Sequence, residues 1–439
     1  MSLWQRLFAI RNSFSLKGGK MLASEKDKYL NWTKEQLIAR VLQLENSELR
    51  ERKRRLALPD KESKKANKQK KVKEFDFSKH NVRFIALKFA YLGWNYNGLA
   101  VQKEPTPLPT VEGTIIDALN KCKLVPPVSP NEYKFSRCGR TDKGVSAMNQ
   151  VISLNIRSNL TNEQQADPQY DSDEIQYVHI LNQLLPDDIR ISAVCLRPPS
   201  GFDARFSCQH RHYRYFFQKE GLDIPKMEEA AKLYLGENDF RNFCKLDGSK
   251  QITNYLRTVM SSKISQLSDD FYYFDLVGSA FLWHQVRCMI AILFLIGQGL
   301  EEPKLIIEML TVDQTPRKPI YDMASEIPLI LYDCSFENMD WIRTDLNDYK
   351  AVKYGKAASA LTSKYQMKAE IAKIFKSVLS VDASLGADLK GKTIVNIGDG
   401  KGKVIAKYEK MLDRKVMDTA EEVNEKYRQR KKIKNKGMK

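Results

Sequence analysis

Arg137-Cys138-Gly139-Arg140-Thr141-Asp142-Lys143-Gly144 runs directly into a segment in which Ile152, Leu154 and Ile156 alternate with other residues. A glycine-bounded turn followed by a period-two apolar pattern reads as a loop opening onto a β-strand. Between the glycines stand one carboxylate, Asp142, and two cations, Arg140 and Lys143. Glycines permit tight backbone turns, so the side chains between them can be presented to a cleft. The flanking cations favour the ionised carboxylate, the form a nucleophile needs. An ordinary polar turn, with Asp142 bonded to its own backbone, is the other reading of this stretch alone.

Outward from that loop the texture is mixed. Upstream, Ile85, Leu87, Phe89 and Tyr91 alternate as a strand, and residues 111–121 read as a helix. Downstream, Tyr213, Tyr215 and Phe217 alternate as a strand, 227–235 reads as helical, 271–278 as a strand, and 282–296 as a helix apolar on nearly every side. Strands and helices in this order fit an α+β or α/β core over residues 80–345. The acid-rich stretch 165–176, with Asp167, Asp171, Asp173 and Glu174, reads as an exposed loop. Residues 1–79 form an N-terminal extension. In it, Thr33-Lys34-Glu35-Gln36 resembles a capping box opening a short helix, and a lysine-rich linker fills 50–73. Residues 346–439 form a C-terminal region with helical stretches, a glycine-rich patch and a basic tail.

A chain of 439 residues with 42% apolar composition is long enough for two domains or a bilobed core. Its seven cysteines, at 122, 138, 195, 208, 244, 288 and 334, are widely spaced, with no CxxC pair and no histidine placed to complete a zinc site. Reduced thiols inside a cell, and no metal, are the expectation. The longest strongly apolar run, 288–297, has about half the roughly 20 residues a membrane-spanning helix requires, so a soluble protein is expected. The net charge of +18 is concentrated: residues 50–73 carry +9 and residues 426–439 carry +8. The remainder is nearly balanced, so charge alone marks basic tails, readable as nuclear-import signals, phosphate-binding arms or solubilising ends, and proves no basic cleft. Residues 1–20 carry Arg6, Arg11, Lys17 and Lys20 and no acid, a composition shared by mitochondrial transit peptides and short terminal tails.

Two further constellations bear on chemistry. From Phe202 to Phe217 aromatic residues interleave with Arg205, Arg211 and Arg214. Aromatic faces stack on unpaired bases while guanidinium groups hold phosphates, although an edge strand with aromatics inward and arginines in solvent gives the same pattern. His210 and His212 lack a third ligand nearby, so metal binding is not expected there. In Phe281-Leu282-Trp283-His284-Gln285-Val286-Arg287, an arginine in so apolar a helix calls for a carboxylate, and Asp142 is a fitting one. Alternatively His284 and Arg287, one turn apart, snorkel to the surface together. Residues 386–393 match the phosphate-loop spacing GxxxxGK[ST], but Thr393 to Gly400 reads as a strand and turn where that motif needs a helix, so no nucleotide site is expected.

Taken together, these segments resemble the TruA-like tRNA pseudouridine synthases over residues 82–337. The resemblance rests on Gly139-Arg-Thr-Asp-Lys-Gly144, Thr110-Val-Glu-Gly113, Leu185-Pro-Asp-Asp-Ile189, Phe202-Asp-Ala-Arg-Phe206, Tyr213-Arg-Tyr215 and the Phe281 to Arg287 segment, in family order. Leu92-Gly-Trp-Asn-Tyr-Asn-Gly98 and Phe240-Arg-Asn-Phe-Cys-Lys245 are similar to the eukaryotic branch acting at tRNA positions 38 and 39. The resemblance implies a pseudouridine synthase fold, two α/β lobes around a continuous, mainly antiparallel sheet with a central cleft. It implies an isomerase acting on uridine in the anticodon stem-loop, with tRNA as partner and neither metal nor organic cofactor. It assigns Asp142 as nucleophile, Arg140 to base flipping, Tyr213 to stacking and proton transfer, Arg287 to pairing with Asp142, and Leu282 to the base pocket. Arg137, Lys143, Arg205, Arg211 and Arg214 are carried as RNA contacts. Nuclear and cytoplasmic residence, a mitochondrial fraction through residues 1–20, and a homodimer are the accompanying expectations.

Overall fold

The computed structural model describes residues 75–343, 348–379 and 391–436. Contacts divide the chain into Met1–Glu74 and Phe75–Lys439. The first unit, with the expected capping box, linker and leader-like segment, lies outside the described residues. In the second, twelve strands are described: β1 (Asn81–Tyr91), β2 (Ser136–Arg137), β3 (Ser146–Ser158), β4 (Ile189–Cys195), β5 (His210–Gln218), β6 (Gly236–Asp239), β7 (Leu256–Gln266), β8 (Phe271–Gly278), β9 (Leu329–Ser335), β10 (Ile342–Arg343), β11 (Thr393–Val395) and β12 (Lys403–Ile405). The helices are α1 (Val111–Lys121), α2 (Asn162–Ala166), α3 (Tyr177–Leu184), α4 (Ile224–Lys232), α5 (Gln285–Gly297), α6 (Lys304–Leu310), α7 (Tyr349–Val378) and α8 (Ala420–Lys436).

Ten strands make one sheet in the order β10-β4-β1-β3-β9-β5-β8-β7-β6, with β2 added against β3. Every pairing in it is antiparallel except β3 with β9, where only Ser146↔Ile330 and Ala147↔Leu331 are matched. That short parallel seam divides the sheet into two lobes, each with its own apolar core. The first gathers Ile85, Leu87 and Phe89 of β1, Leu154 of β3 and Ile115 and Leu119 of α1. The second gathers Tyr215 and Phe217 of β5, Phe274 and Leu276 of β8, and α5. All thirteen residues of α5 are buried, and each large apolar side chain so buried contributes about 1.5–3 kcal/mol. The expected α+β fold with a mainly antiparallel sheet is the observed one. Among the described residues no helix is long and apolar enough to cross a membrane.

Two expectations are corrected. The 165–176 stretch is not simply an exposed acidic loop. Glu174 is buried, and its carboxylate accepts from Arg83 Nη1 at 3.0 Å, Ser158 Oγ at 2.7 Å and the backbone amides of Asn159 and Ile175. Asp171 is paired with Arg197. These acids face inward because Arg83, itself buried on β1, also needs the carbonyls of Leu196 and Gln165 and cannot be left uncompensated. The second correction concerns the helix expected from 282. It starts at Gln285, because His284 adopts a left-handed conformation with φ +62°.

Burial alone raises the Glu174 carboxyl, but the bonds from Ser158, the two amides and Arg83 outweigh it and hold the group below the usual range. Its contribution is therefore fully present above the unfolded-state value and is lost as pH falls through the folded one. Arg83→Met, which strands this carboxylate, is expected to lower the unfolding free energy by about 3–5 kcal/mol in urea denaturation. A change under about 1 kcal/mol would show that the pair is not the buried one described.

Candidate active site

The Arg137 to Gly144 loop ends at the seam, since Ser146 begins β3 and forms the first parallel pair with β9. Its Cys138 belongs to the first core and its Val145 to the second, so the loop spans both lobes. The segment 92–99 grips it from outside. Gly144 N donates to Tyr96 O at 3.3 Å, Leu99 N to Thr141 O at 3.2 Å, Gly93 N to Ser146 Oγ at 3.0 Å, and the Thr141 hydroxyl bonds Tyr91 Oη at 2.6 Å. Gly144 sits at φ +81°, and a β-carbon there would meet Glu326 Cγ at 2.7 Å, so both its conformation and its surroundings require glycine.

Asp142 is partly exposed, and both carboxylate oxygens are engaged. Trp283 Nε1 donates to Oδ1 at 3.1 Å, and His284 Nε2 stands 3.2 Å from Oδ2. The left-handed turn at His284 directs both rings toward Asp142 just before α5 begins. Leu282 N is satisfied there by Gln285 Oε1 at 2.8 Å, and Leu282 is buried in the second core. His284 Nδ1 is buried without a hydrogen-bond partner. Lys245 Nζ lies 4.5 Å over the Trp283 ring, a cation–π contact on the face of the indole whose edge N–H meets Asp142.

Arg287 does not pair with Asp142. Its Nη2 donates to Glu326 Oε2 at 2.8 Å and its Nε to Ala324 O at 2.7 Å. The expectation that this buried arginine needs an anion is met, but by a carboxylate on the segment leading into β9. Because Glu326 also lies against Gly144, Arg287 bears on the Asp142 loop through it. The snorkelling alternative fails as well, since Arg287 is 8% exposed.

Tyr213 packs edge-on against Phe281, with ring centroids 5.1 Å apart, and contacts both cores. Burial first, then the charges of Cys334, Cys138 and Asp142, push its phenol well above the ordinary value, with Arg211 opposing. The ring is thus a neutral phenol.

The arginines separate by location. Strand alternation puts Arg214 on the face opposite Tyr213. There Arg214 donates to Asp275 Oδ1 at 2.9 Å and lies 3.7 Å from the Tyr332 ring centroid, so it is not brought to the loop. Arg211 shares the Tyr213 face, but its guanidinium is used internally, donating to the carbonyls of Ser279, Cys138 and Arg205 at 2.8, 3.0 and 3.0 Å. It ties together the three segments that surround the site and is not free for phosphate. Arg137 pairs with Glu112 at 2.7 Å. Arg140 and Lys143 are exposed, and among the described residues neither has a hydrogen bond or ion pair. Desolvation first, then the charges of Arg137 and Arg205, lower the Arg140 pKa, with Glu112 opposing. Arg205 is exposed, with its guanidinium 5.2 Å over Phe206, a ring 79% exposed.

Comparison with known proteins places the whole chain. A family model described as tRNA pseudouridine synthase matches residues 230–337, which cover most of the second lobe, including Trp283 to Arg287. The chain is similar to the tRNA pseudouridine(38/39) synthase of Saccharomyces cerevisiae, at 60% identity over 428 residues, 95% of this chain and 96% of that one. The Mus musculus protein of the same name is 46% identical over 291 residues, 62% of this chain and 60% of its own length. The tRNA pseudouridine synthase A of Methanosarcina mazei is 31% identical over 65% of this chain and 96% of its own.

The pairing is open to a direct test by double-mutant cycles on unfolding free energy. Arg287→Leu with Glu326→Gln should show a coupling of about 1–3 kcal/mol, and Arg287→Leu with Asp142→Asn less than about 0.5 kcal/mol. The reverse order would restore the Asp142–Arg287 pair.

Proposed function

The chain belongs to the tRNA pseudouridine synthase family, and from that membership we propose that it isomerises uridine to pseudouridine in the anticodon stem-loop of tRNA, at positions 38 and 39, with Asp142 as nucleophile. The observation that carries the reading is the 60% identity to the yeast 38/39 synthase across 95% of the chain. The reaction breaks the N1–C1′ bond, rotates the uracil and forms C5–C1′. N1 gains a proton as C5 loses one, so nothing is consumed and no cofactor is called for. A partly exposed carboxylate, held from two sides by Trp283 and His284, supports Asp142 as the group that meets the displaced nucleoside.

The roles of the other residues follow their surroundings. Arg140, exposed and without an ion-pair partner among the described residues, takes the place of the flipped base or pairs with its phosphate, since a stacked uridine must leave the helix before chemistry. Tyr213 offers a ring for stacking and, as a neutral phenol, can pass the C5 proton onward without acting as a resting-state base. Leu282 lies under the base pocket. Lys143, Arg137 and Arg205 line the approach, with the exposed Phe206 ring beside Arg205 available to stack.

Helix α7 supplies a surface for tRNA that overall composition concealed. Ala351, Tyr354, Ala357, Leu361 and Tyr365 form its half-buried stripe. Tyr354 Oη bonds His179, and Tyr365 packs edge-on against Trp94 at 5.0 Å, beside the segment that grips the Asp142 loop. Lys353, Lys356, Lys364, Lys368, Lys373 and Lys376 are exposed on the same helix, against the single acid Glu370. Lys353, Lys356, Lys364 and Lys368 share one face at helical spacing, and such a row suits a phosphate backbone.

We further propose a homodimer, for which the exposed stripe Met367, Ile371, Ile374, Phe375 and Val378 at the far end of α7 is the support. The basic stretches 50–73 and 426–439 support nuclear as well as cytoplasmic residence, and the composition of residues 1–20 a mitochondrial fraction. The 386–393 spacing lends no support to a nucleotide site. Thr393–Val395 forms a strand followed by a turn, where a phosphate loop needs a helix.

Asp142→Asn is expected to retain the fold and tRNA affinity and to lose pseudouridine at positions 38 and 39, read by carbodiimide mapping of tRNA after a single-turnover reaction. Substantial conversion by that variant would sink the nucleophile assignment. Lys364→Glu with Lys368→Glu should weaken tRNA binding for every substrate alike and flatten the salt dependence of log K by roughly 1 per lost contact. An unchanged slope would remove α7 from the tRNA path.

A further inference from the structure

Three cysteines that are 70 and 126 residues apart in sequence converge behind the Asp142 loop. The sulfur atoms of Cys138, Cys208 and Cys334 all lie within 4.8 Å of one another. Cys138 and Cys334 are each 2% exposed, and Cys208 is half-buried at the rim. Each sits on a segment that also carries part of the site. Cys138 immediately follows β2 and lies four residues before Asp142; Cys208 precedes β5 and Tyr213; Cys334 lies in β9, opposite Arg211 across the β5–β9 ladder.

We propose that these three thiols form a binding site for a single thiophilic divalent cation, zinc in the first instance, which staples the catalytic loop to β5 and β9. The inference is independent of the reaction, in which the ion takes no part. Zinc–sulfur bonds of about 2.3 Å place tetrahedral sulfur ligands about 3.8 Å apart, so closing this triangle needs only small rotations of side chains already in place. Thiolate ligands select soft or borderline ions over magnesium or calcium. Charge decides between a divalent and a monovalent ion. Three thiolates with a divalent cation leave one negative charge, and the Arg211 guanidinium, bonded to the Cys138 carbonyl at 3.0 Å, supplies the one positive charge that balances it. A monovalent ion would leave a buried negative charge uncompensated. The fourth coordination position falls on the Cys208 side, the only one of the three open to solvent, and is filled by water. A disulfide between any two of these cysteines would join only two of the three segments and leave the third thiol without a role.

The test uses the full chain, purified under reducing conditions, stripped with a chelator and titrated with Co2+ as a spectroscopic stand-in for zinc. One equivalent should bind, with sulfur-to-cobalt charge-transfer absorption and the strong visible bands of a tetrahedral ion, and Zn2+ should displace it. Cys208→Ser and, separately, Cys334→Ala should each abolish the charge-transfer signal, while Cys122→Ser leaves it intact. Because a core variant can fail to fold, circular dichroism accompanies each, and a second measurement needs no variant. In the unaltered chain, Zn2+ at about ten times its Kd should slow alkylation of Cys208, followed by peptide mass spectrometry, about tenfold. No charge-transfer band, a band that survives in both folded variants, uptake of Cu+ without Co2+ or Zn2+, or a Cys138–Cys208 disulfide in a chain whose reduced form takes up no metal would each overturn the proposal.

Discussion

The sheet is continuous across its middle through only two matched pairs, Ser146 with Ile330 and Ala147 with Leu331, and that seam carries the Asp142 loop. Parallel pairing over two residues is a weak join. It cannot by itself hold the Asp142 carboxylate to the fraction of an ångström that the proposed role as nucleophile would require. Much of the surrounding structure supplies the missing constraint. Residues 92–99 hold the loop through its backbone, Arg211 ties its start to Ser279 and Arg205, and Glu326 abuts Gly144 while anchored by Arg287. The seam is also where two separately packed cores meet. The loop between them is therefore anchored on close-packed side chains at both ends.

Buried arginines show how the same physical rule gives one right answer and one wrong partner. Arg287 on an apolar helix needs an anion, and it has one. Naming that anion from sequence failed because the choice lies between carboxylates 145 residues upstream and 39 downstream, and nothing in local periodicity ranks them. Arg211 failed differently. An arginine between aromatics in a strand reads as a nucleic-acid contact, but its three carbonyl partners come from segments whose approach only the folded backbone reveals. Arg214 was separable in principle, because strand alternation alone puts it on the face opposite Tyr213.

The strands β1, β3, β5 and β8 and the helices α1 and α5 were legible from apolar period and length, since each buries a face of one lobe. Less legible were β9 and the 324–327 segment, short stretches whose identity depends on long-range pairing. Trp283 and His284 were visible as residues but not as ligands of Asp142. A helix read from Leu282 contains both residues and gives neither a partner, whereas in the structure they stand in the turn before Gln285, where His284 is left-handed. No capping Ser, Thr, Asp or Asn precedes Gln285, and that absence was the one available hint. The thiol cluster was hidden for the same reason as the Arg287 partner. Metal-site patterns in sequence rely on close spacing, and these cysteines meet only through the β5–β9 ladder and the loop at the seam.

The C-terminal residues show why summed charge is a poor guide and contact a better one. A net +18 dominated by two tails led to a nearly neutral remainder, yet within it α7 exposes six lysines against one glutamate, a local excess that the sum over the remaining residues hides. Beyond α7, residues 391–436 pack against the second lobe. Ser325 N donates to Ile397 O at 2.7 Å, one residue from the carboxylate that receives Arg287, and a β-carbon on Gly398, at φ +71°, would lie 2.1 Å from the Tyr215 hydroxyl. Lys318 and Ile320 are joined to Met417 and Lys415 through the backbone. The segment presenting Glu326 is therefore held between α5 on one side and the C-terminal chain on the other. Since Glu326 is the contact through which Arg287 reaches the Asp142 loop, the C-terminal region acts on the site mechanically, by fixing what fixes the loop.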